Sequence, residues 1–140
     1  MIKQIRTIKY PKIILQKAIF KAISLQYDTD DTSSIKIGFA NGLILGNEEQ
    51  EDYGCVDLKI HDVDLENLSI TYFTDTTPQQ KISLAQLKKD IEQLQVEVIQ
   101  EYYNHFEVFI RAEIKRPEKD LFINICIPHH GEVHYLYKNE

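Results

Sequence analysis

Three runs near the C-terminal end constrain the fold more than anything else in the chain. Val108, Ile110 and Ala112, then Ile123, Ile125 and Ile127, then Val133, Tyr135 and Tyr137 recur at every second position, the period of a strand with one buried face. If "RPEK" at 116–119 closes a hairpin, Ala112 faces Ile123, Ile110 faces Ile125 and Val108 faces Ile127. If "HHG" at 129–131 closes another, with Gly131 left-handed, Ile127 faces Val133, Ile125 faces Tyr135 and Ile123 faces Tyr137. One register serves all three strands, and a slip of one residue would turn every apolar side chain to the wrong face. The expectation is a three-stranded meander with a single apolar face.

A helix is expected to cover that face. Ser83 with Gln86 three residues later makes a capping box, and Leu84, Leu87, Ile91, Leu94 and Val98 then step by three and four to an end near Asn104. A second helix is expected to open at Pro11, with Ile14, Ala18, Ala22 and Leu25 as its apolar stripe and Lys17 and Lys21 facing solvent. The run "DTDDTSS" at 28–34 ends it. Between the helices, Asn41-Gly42 signals a hairpin pairing Phe39 with Ile44. Val56, Leu58 and Ile60 then alternate with Cys55, Asp57, Lys59 and His61, and "LSITYF" follows as a further strand. Residues 2 to 9 are short and mixed, the place for a first strand. The predicted fold is a single α+β domain over 1–140, two helices packed on antiparallel β-meanders in the order (β)-α-β-β-β-β-α-β-β-β.

At 140 residues with 43% hydrophobic residues, the chain has enough apolar material for one compact core. Its formal net charge of −6 argues against a nucleic-acid or anionic-membrane binder, which needs a basic surface. The charge is uneven. Residues 1–27 hold Lys3, Arg6, Lys9, Lys12, Lys17 and Lys21 with no acid, leaving 10 of the 16 bases against all 22 acids in the remainder. Cys55 and Cys126 lie far apart within strand-like runs, as buried reduced thiols do, so a cytoplasmic location is expected. No apolar run is long enough for a membrane span.

The stretch "IPHHGEVHY", residues 127–135, gathers His129, His130, Glu132 and His134. In the predicted register His129 and His130 sit on an exposed tip, while His134 lies opposite Cys126 on the polar face beside Phe109 and Leu136. A tight tip aims its two histidines away from His134, so zinc is expected to bind weakly or not at all. Cys126 beside His134 is a candidate thiol–base pair. A homodimer or small-ligand site on that same face is the companion reading.

In "VDLK", Asp57 and Lys59 present an acid-x-Lys on one face of a strand. With a helix, strands and a helix in order around it, the pair resembles the core of metal-dependent nucleases of the restriction-endonuclease type. That resemblance implies Mg²⁺-assisted phosphodiester hydrolysis and needs an upstream Asp, for which Asp52 is too close in sequence. "DTDDTSSIKIGF" begins like a calcium loop but has Ser33 where a Gly is needed and Phe39 where a bidentate Glu is needed. No glycine-rich nucleotide loop, C-x-x-C, H-E-x-x-H or G-x-S-x-G occurs, so no cofactor is expected.

What remains is acidity. Glu48, Glu49, Glu51 and Asp52 occupy one loop, Asp62, Asp64 and Glu66 a second, and Asp28, Asp30 and Asp31 a third. Converging, they would suit a basic protein partner. The function expected is a non-enzymatic binding module engaging such a partner, in the manner of an immunity protein, antitoxin or phage-encoded inhibitor of a nuclease. Abundant Ile, Lys and Asn fits a bacterial or phage origin.

Overall fold

The computed structural model describes residues 2–6, 13–15, 17–40, 44–45 and 55–138. Twelve strands and one helix follow in order. They are β1 (Ile2–Arg6), β2 (Ile13–Ile14), β3 (Ile19–Tyr27), β4 (Ser33–Ala40), β5 (Ile44–Leu45), β6 (Cys55–Ile60), β7 (Ser69–Phe73), β8 (Gln80–Lys81), α1 (Leu84–Gln93), β9 (Val96–Tyr103), β10 (Glu107–Ile114), β11 (Leu121–Pro128) and β12 (Val133–Lys138). Ten of them form one antiparallel sheet in the order β1-β12-β6-β4-β3-β9-β10-β11-β7-β8, and β2 pairs with β5 apart from it.

The β10–β11 hairpin is built as the alternation requires. Ala112 faces Ile123, Ile110 faces Ile125 and Val108 faces Ile127. The next step departs from expectation. β12 does not return beside β11, whose other neighbour is β7; it crosses to lie between β1 and β6, so Val133 faces Ile60 and Tyr135 faces Leu58. Both placements bury the same apolar residues, and a pattern of period two cannot choose between them. Gly131 is not left-handed either. A Cβ there would lie 2.7 Å from the His61 carbonyl oxygen, so glycine is needed for close approach of two backbones.

The expected helix from Pro11 does not form over the described residues: 19–27 form β3, paired with β4. The expected stripe is not the buried face: Ala22 is exposed, while Phe20 and Ile23 are buried. The pairing shifts between Phe20 and Ala22, and this bulge inserts one residue, so the buried Phe20 and Ile23 stand three apart in an irregular strand. The second helix forms with its cap, Ser83 Oγ accepting from the Gln86 N–H at 3.1 Å. It stops at Gln93 rather than near Asn104, since Leu94 is extended and Val96 and Val98 turn inward from β9. β-branched and aromatic residues crowd 96–103, and they favour a strand once a neighbour is available. The Asn41-Gly42 turn lies outside the described residues, but its expected pairing does not hold: Phe39 faces Phe20 and Val56, and Ile44 faces Ile14.

The sheet has a seam. β3 and β9 share only the Ile19–Glu97 pair, extended by Lys17 N–H to Val98 O and Val98 N–H to Ala18 O, both 2.8 Å. On one side lie β1, β12, β6, β4 and β3; on the other β9, β10, β11, β7 and β8. The two halves roll over one apolar cluster that includes Ile37, Leu58, Tyr135, Ile110 and Ile125, closed by Leu87 and Ile91 of α1. The Tyr103 and Tyr135 rings meet edge-on across it, 6.2 Å between centroids, although three strands separate β9 from β12 in the sheet. Among the described residues no helix is long and apolar enough to cross a membrane.

Candidate functional site

Rolling the sheet brings four loops to one end. Val63 N–H, after β6, donates to Ser33 O at the start of β4 (2.9 Å). His129 N–H donates to Phe106 O in the β9–β10 turn (2.8 Å). His130 N–H reaches Asp62 O, Gly131 N–H reaches His61 O, and His61 N–H reaches Glu132 O. Val63 and His129 form an isolated antiparallel bridge. The β3–β4 turn, the β6–β7 loop, the β9–β10 turn and the β11–β12 connection therefore make one surface held by backbone hydrogen bonds.

That surface is acidic. Residues 28–33, 61–68, 104–106 and 129–132 contain Asp28, Asp30, Asp31, Asp62, Asp64, Glu66 and Glu132 with no lysine or arginine. Two of the three acidic loops read from the sequence thus meet. The third, carrying Glu48, Glu49, Glu51 and Asp52, lies outside the described residues. Asp64 is held below the usual carboxylate range by the Asn67 side-chain amide, which donates to it at 2.7 Å. Asp62 adopts a left-handed backbone at φ 51°, which a short polar side chain tolerates. Large apolar groups stand in the acidic field: Phe106 is 72% exposed and Tyr27, at the end of β3, 74%.

The histidines divide. His130 is exposed at the tip, but His129 is buried, contrary to the expected exposed pair. His129 Nδ1 donates to Gly131 O at 2.8 Å. Its Nε2 is buried without a hydrogen-bond partner among the described residues, and burial holds the ring below its usual pKa. His134 is not opposite Cys126. It faces Lys59 of β6, and its Nδ1 lies 3.0 Å from Nε2 of His61, while Glu132 Oε2 is 2.9 Å from its Nε2. His61 was not singled out by the sequence. The available signal was weak: it continues the outward series Asp57, Lys59, His61, but nothing marks β12 as the neighbour of β6.

Cys126 instead faces Phe109 and Ser69, and burial pushes its thiol up, the reverse of what a nucleophile needs. Both cysteines are free; Cys55 is exposed rather than buried, with Lys21 Nζ 3.6 Å from its sulfur. The outer row Tyr102, Phe109, Cys126 and Ser69 borders Arg111, whose guanidinium lies 5.7 Å from the Phe73 ring and 5.9 Å from that of Phe109. His134 does not belong to this row, and neither does Leu136, which faces Asp57 of β6.

Asp57 and Lys59 do share the outer face of β6. Asp57 Oδ2 lies 3.5 Å from Lys36 Nζ, and Lys59 stands between Lys36 and His134 in the register. The flanking helix that carried the nuclease resemblance is absent, since residues 19–27 are a strand. Among the described residues no three His, Cys, Asp or Glu side chains are grouped to hold a metal ion. Neither the family models nor the curated proteins nor the solved structures compared with this chain gave a match.

Proposed function

We propose that the chain is a protein-binding module whose four-loop acidic end docks a basic partner, the mode of an inhibitor or immunity protein that occupies a nuclease's nucleic-acid site. The observation that carries this reading is the convergence of Asp28, Asp30 and Asp31 with Asp62, Asp64 and Glu66 through the Val63–Ser33 hydrogen bond. Seven acids without a lysine or arginine in the four loops create a one-signed field that steers a basic surface and rejects an acidic one. Tyr27 and Phe106 supply what charge alone does not, aromatic area of the kind that anchors interfaces once water is excluded.

The test is affinity capture from the native host, followed by binding kinetics with the captured partner. Wild type is compared with the triple Asp62→Asn, Asp64→Asn, Glu66→Gln and with a control triple of equal charge change elsewhere, Asp75→Asn, Glu92→Gln, Glu118→Gln. A stoichiometric basic protein retained by wild type and control but lost from the acidic-end triple supports the reading. Equal retention by all three removes this end from recognition.

A second reading rests on the outer row of β9, β10 and β11. Tyr102 is 59% exposed beside Phe109 and Cys126, a face on which a homodimer could close. Sedimentation of wild type against Tyr102→Glu decides it: a dimer that the substitution dissociates supports this face, and a monomer in both excludes it.

A further inference from the structure

His61 and His134 come from opposite ends of the sequence, and only the β6–β12 pairing makes them neighbours. Their rings meet edge-on with centroids 4.7 Å apart, and His61 Nε2 lies 3.0 Å from His134 Nδ1. Behind His134, Glu132 Oε2 is 2.9 Å from Nε2. The carboxylate accepts a hydrogen bond from Nε2–H, so a neutral His134 turns its Nδ1 lone pair toward His61. Two lone pairs cannot face each other at this distance. The gap between the nitrogens holds either one proton or one cation.

This arrangement has the form of a ligand with its support. A metal-binding histidine commonly donates its other ring N–H to a carboxylate, which fixes the tautomer and raises its basicity. The charges around the pair are mixed: Asp28 and Glu132 lie within electrostatic reach of His61, while Lys59 opposes them and, with Arg6, flanks His134 in the register. Nitrogens about 2.0–2.1 Å from one metal and kept 3.0 Å from each other would subtend roughly 91–97°. That is a cis pair in square-planar or octahedral geometry rather than the wider angle of about 109° in a tetrahedral zinc site.

We propose that His61 and His134, supported by Glu132, form a site for a divalent transition-metal ion of the Cu²⁺ or Ni²⁺ type, independent of the protein-binding reading. Two ring nitrogens supply adjacent positions. No third His, Cys, Asp or Glu among the described residues completes the set.

The experiment titrates Ni²⁺ into the purified full chain near neutral pH by calorimetry, a choice that avoids copper redox at the two thiols. Wild type should take up one equivalent saturably in the micromolar range. His61→Ala and His134→Ala should each abolish that uptake, while Glu132→Gln should weaken it by about 10–100-fold. His130→Ala, which removes an exposed tip histidine, should change nothing. In the Cu²⁺ complex, electron paramagnetic resonance should show hyperfine coupling to two nitrogens. His61→Ala keeps the test valid if His134→Ala fails to fold, because His61 is partly exposed. Uptake as strong in His61→Ala as in wild type, or none in the micromolar range, overturns the proposal and leaves an ordinary shared proton between the rings.

Discussion

Glu101 makes the stability of this protein depend on pH in a calculable way. Its carboxylate, on β9, receives the Leu15 N–H at 3.0 and 2.9 Å, one distance to each oxygen, and so pins the segment that leads into the seam. Burial raises its pKa to about 7, against the lowering effect of the Leu15 N–H and the Tyr103 hydroxyl. An unfolded chain releases this proton near 4.5. Between those values the folded state binds more protons than the unfolded one, so stability falls as pH rises and levels off above 7. The shift is worth roughly 3 kcal/mol in all, of which about 2.5 kcal/mol falls between pH 5 and pH 8. Glu101→Gln keeps an acceptor for Leu15 and removes the titration. Urea unfolding of both proteins at pH 5 and pH 8 isolates the effect as the difference between their pH slopes. Wild type should lose about 2.5 kcal/mol more than Glu101→Gln over that interval. Parallel slopes would refute the argument, showing that water reaches the carboxyl and no desolvation is stored there.

Three further outcomes follow from backbone and burial. Gly131→Ala should destabilise by about 2–4 kcal/mol, because the new Cβ meets the His61 backbone and must part the bridge between the tip and the β6–β7 loop; urea unfolding measures it. Lys17→Gly should stabilise by about 0.5–1 kcal/mol, since Lys17 is held at φ 71° where glycine is unstrained. His129 is held below its usual pKa by burial, so its contribution is present above the unfolded value near 6.5 and is lost as pH falls below it. His129→Gln should flatten that acid-side decline, read from thermal unfolding at pH 7 and pH 5.

The sequence made one register legible where two paired strands were also neighbours in the chain. The β10–β11 register followed from Val108, Ile110 and Ala112 against Ile123, Ile125 and Ile127, because a hairpin leaves one free choice and burial makes it. The Ser83 cap was equally local, a side chain and an N–H three residues apart. Legibility failed where a strand broke its own period. Ala18, Ala22 and Leu25 run at helical spacing, but a bulge turns Phe20 and Ile23 into the core and leaves Ala22 exposed. It failed again where helix gives way to strand without glycine or proline. Leu94 and Val98 continue a helical stripe on paper, but their burial differs: Val98 is enclosed in the sheet and Leu94 is 45% exposed.

The candidate sites failed and succeeded for the same reason. Cys126 and His134 were paired on the assumption that β12 returns beside β11; once β12 crosses, each has different neighbours. The crossing costs no burial, since Tyr135 and Val133 are enclosed on either side of the molecule, and it gains a neighbour for β6 that would otherwise leave a sheet edge open. With that edge filled, the connection from β11 to β12 must pass the loop that leaves β6, where Gly131 lets the two backbones touch. His61 and His134 are brought together by the same step, as are the tip histidines and Asp62. The histidine pair and the docking of the tip onto the β6–β7 loop are thus products of one topological choice, while the β4–β6 pairing joins the two acidic loops. Their residues are written in the sequence, but their proximity is a property of strand order alone.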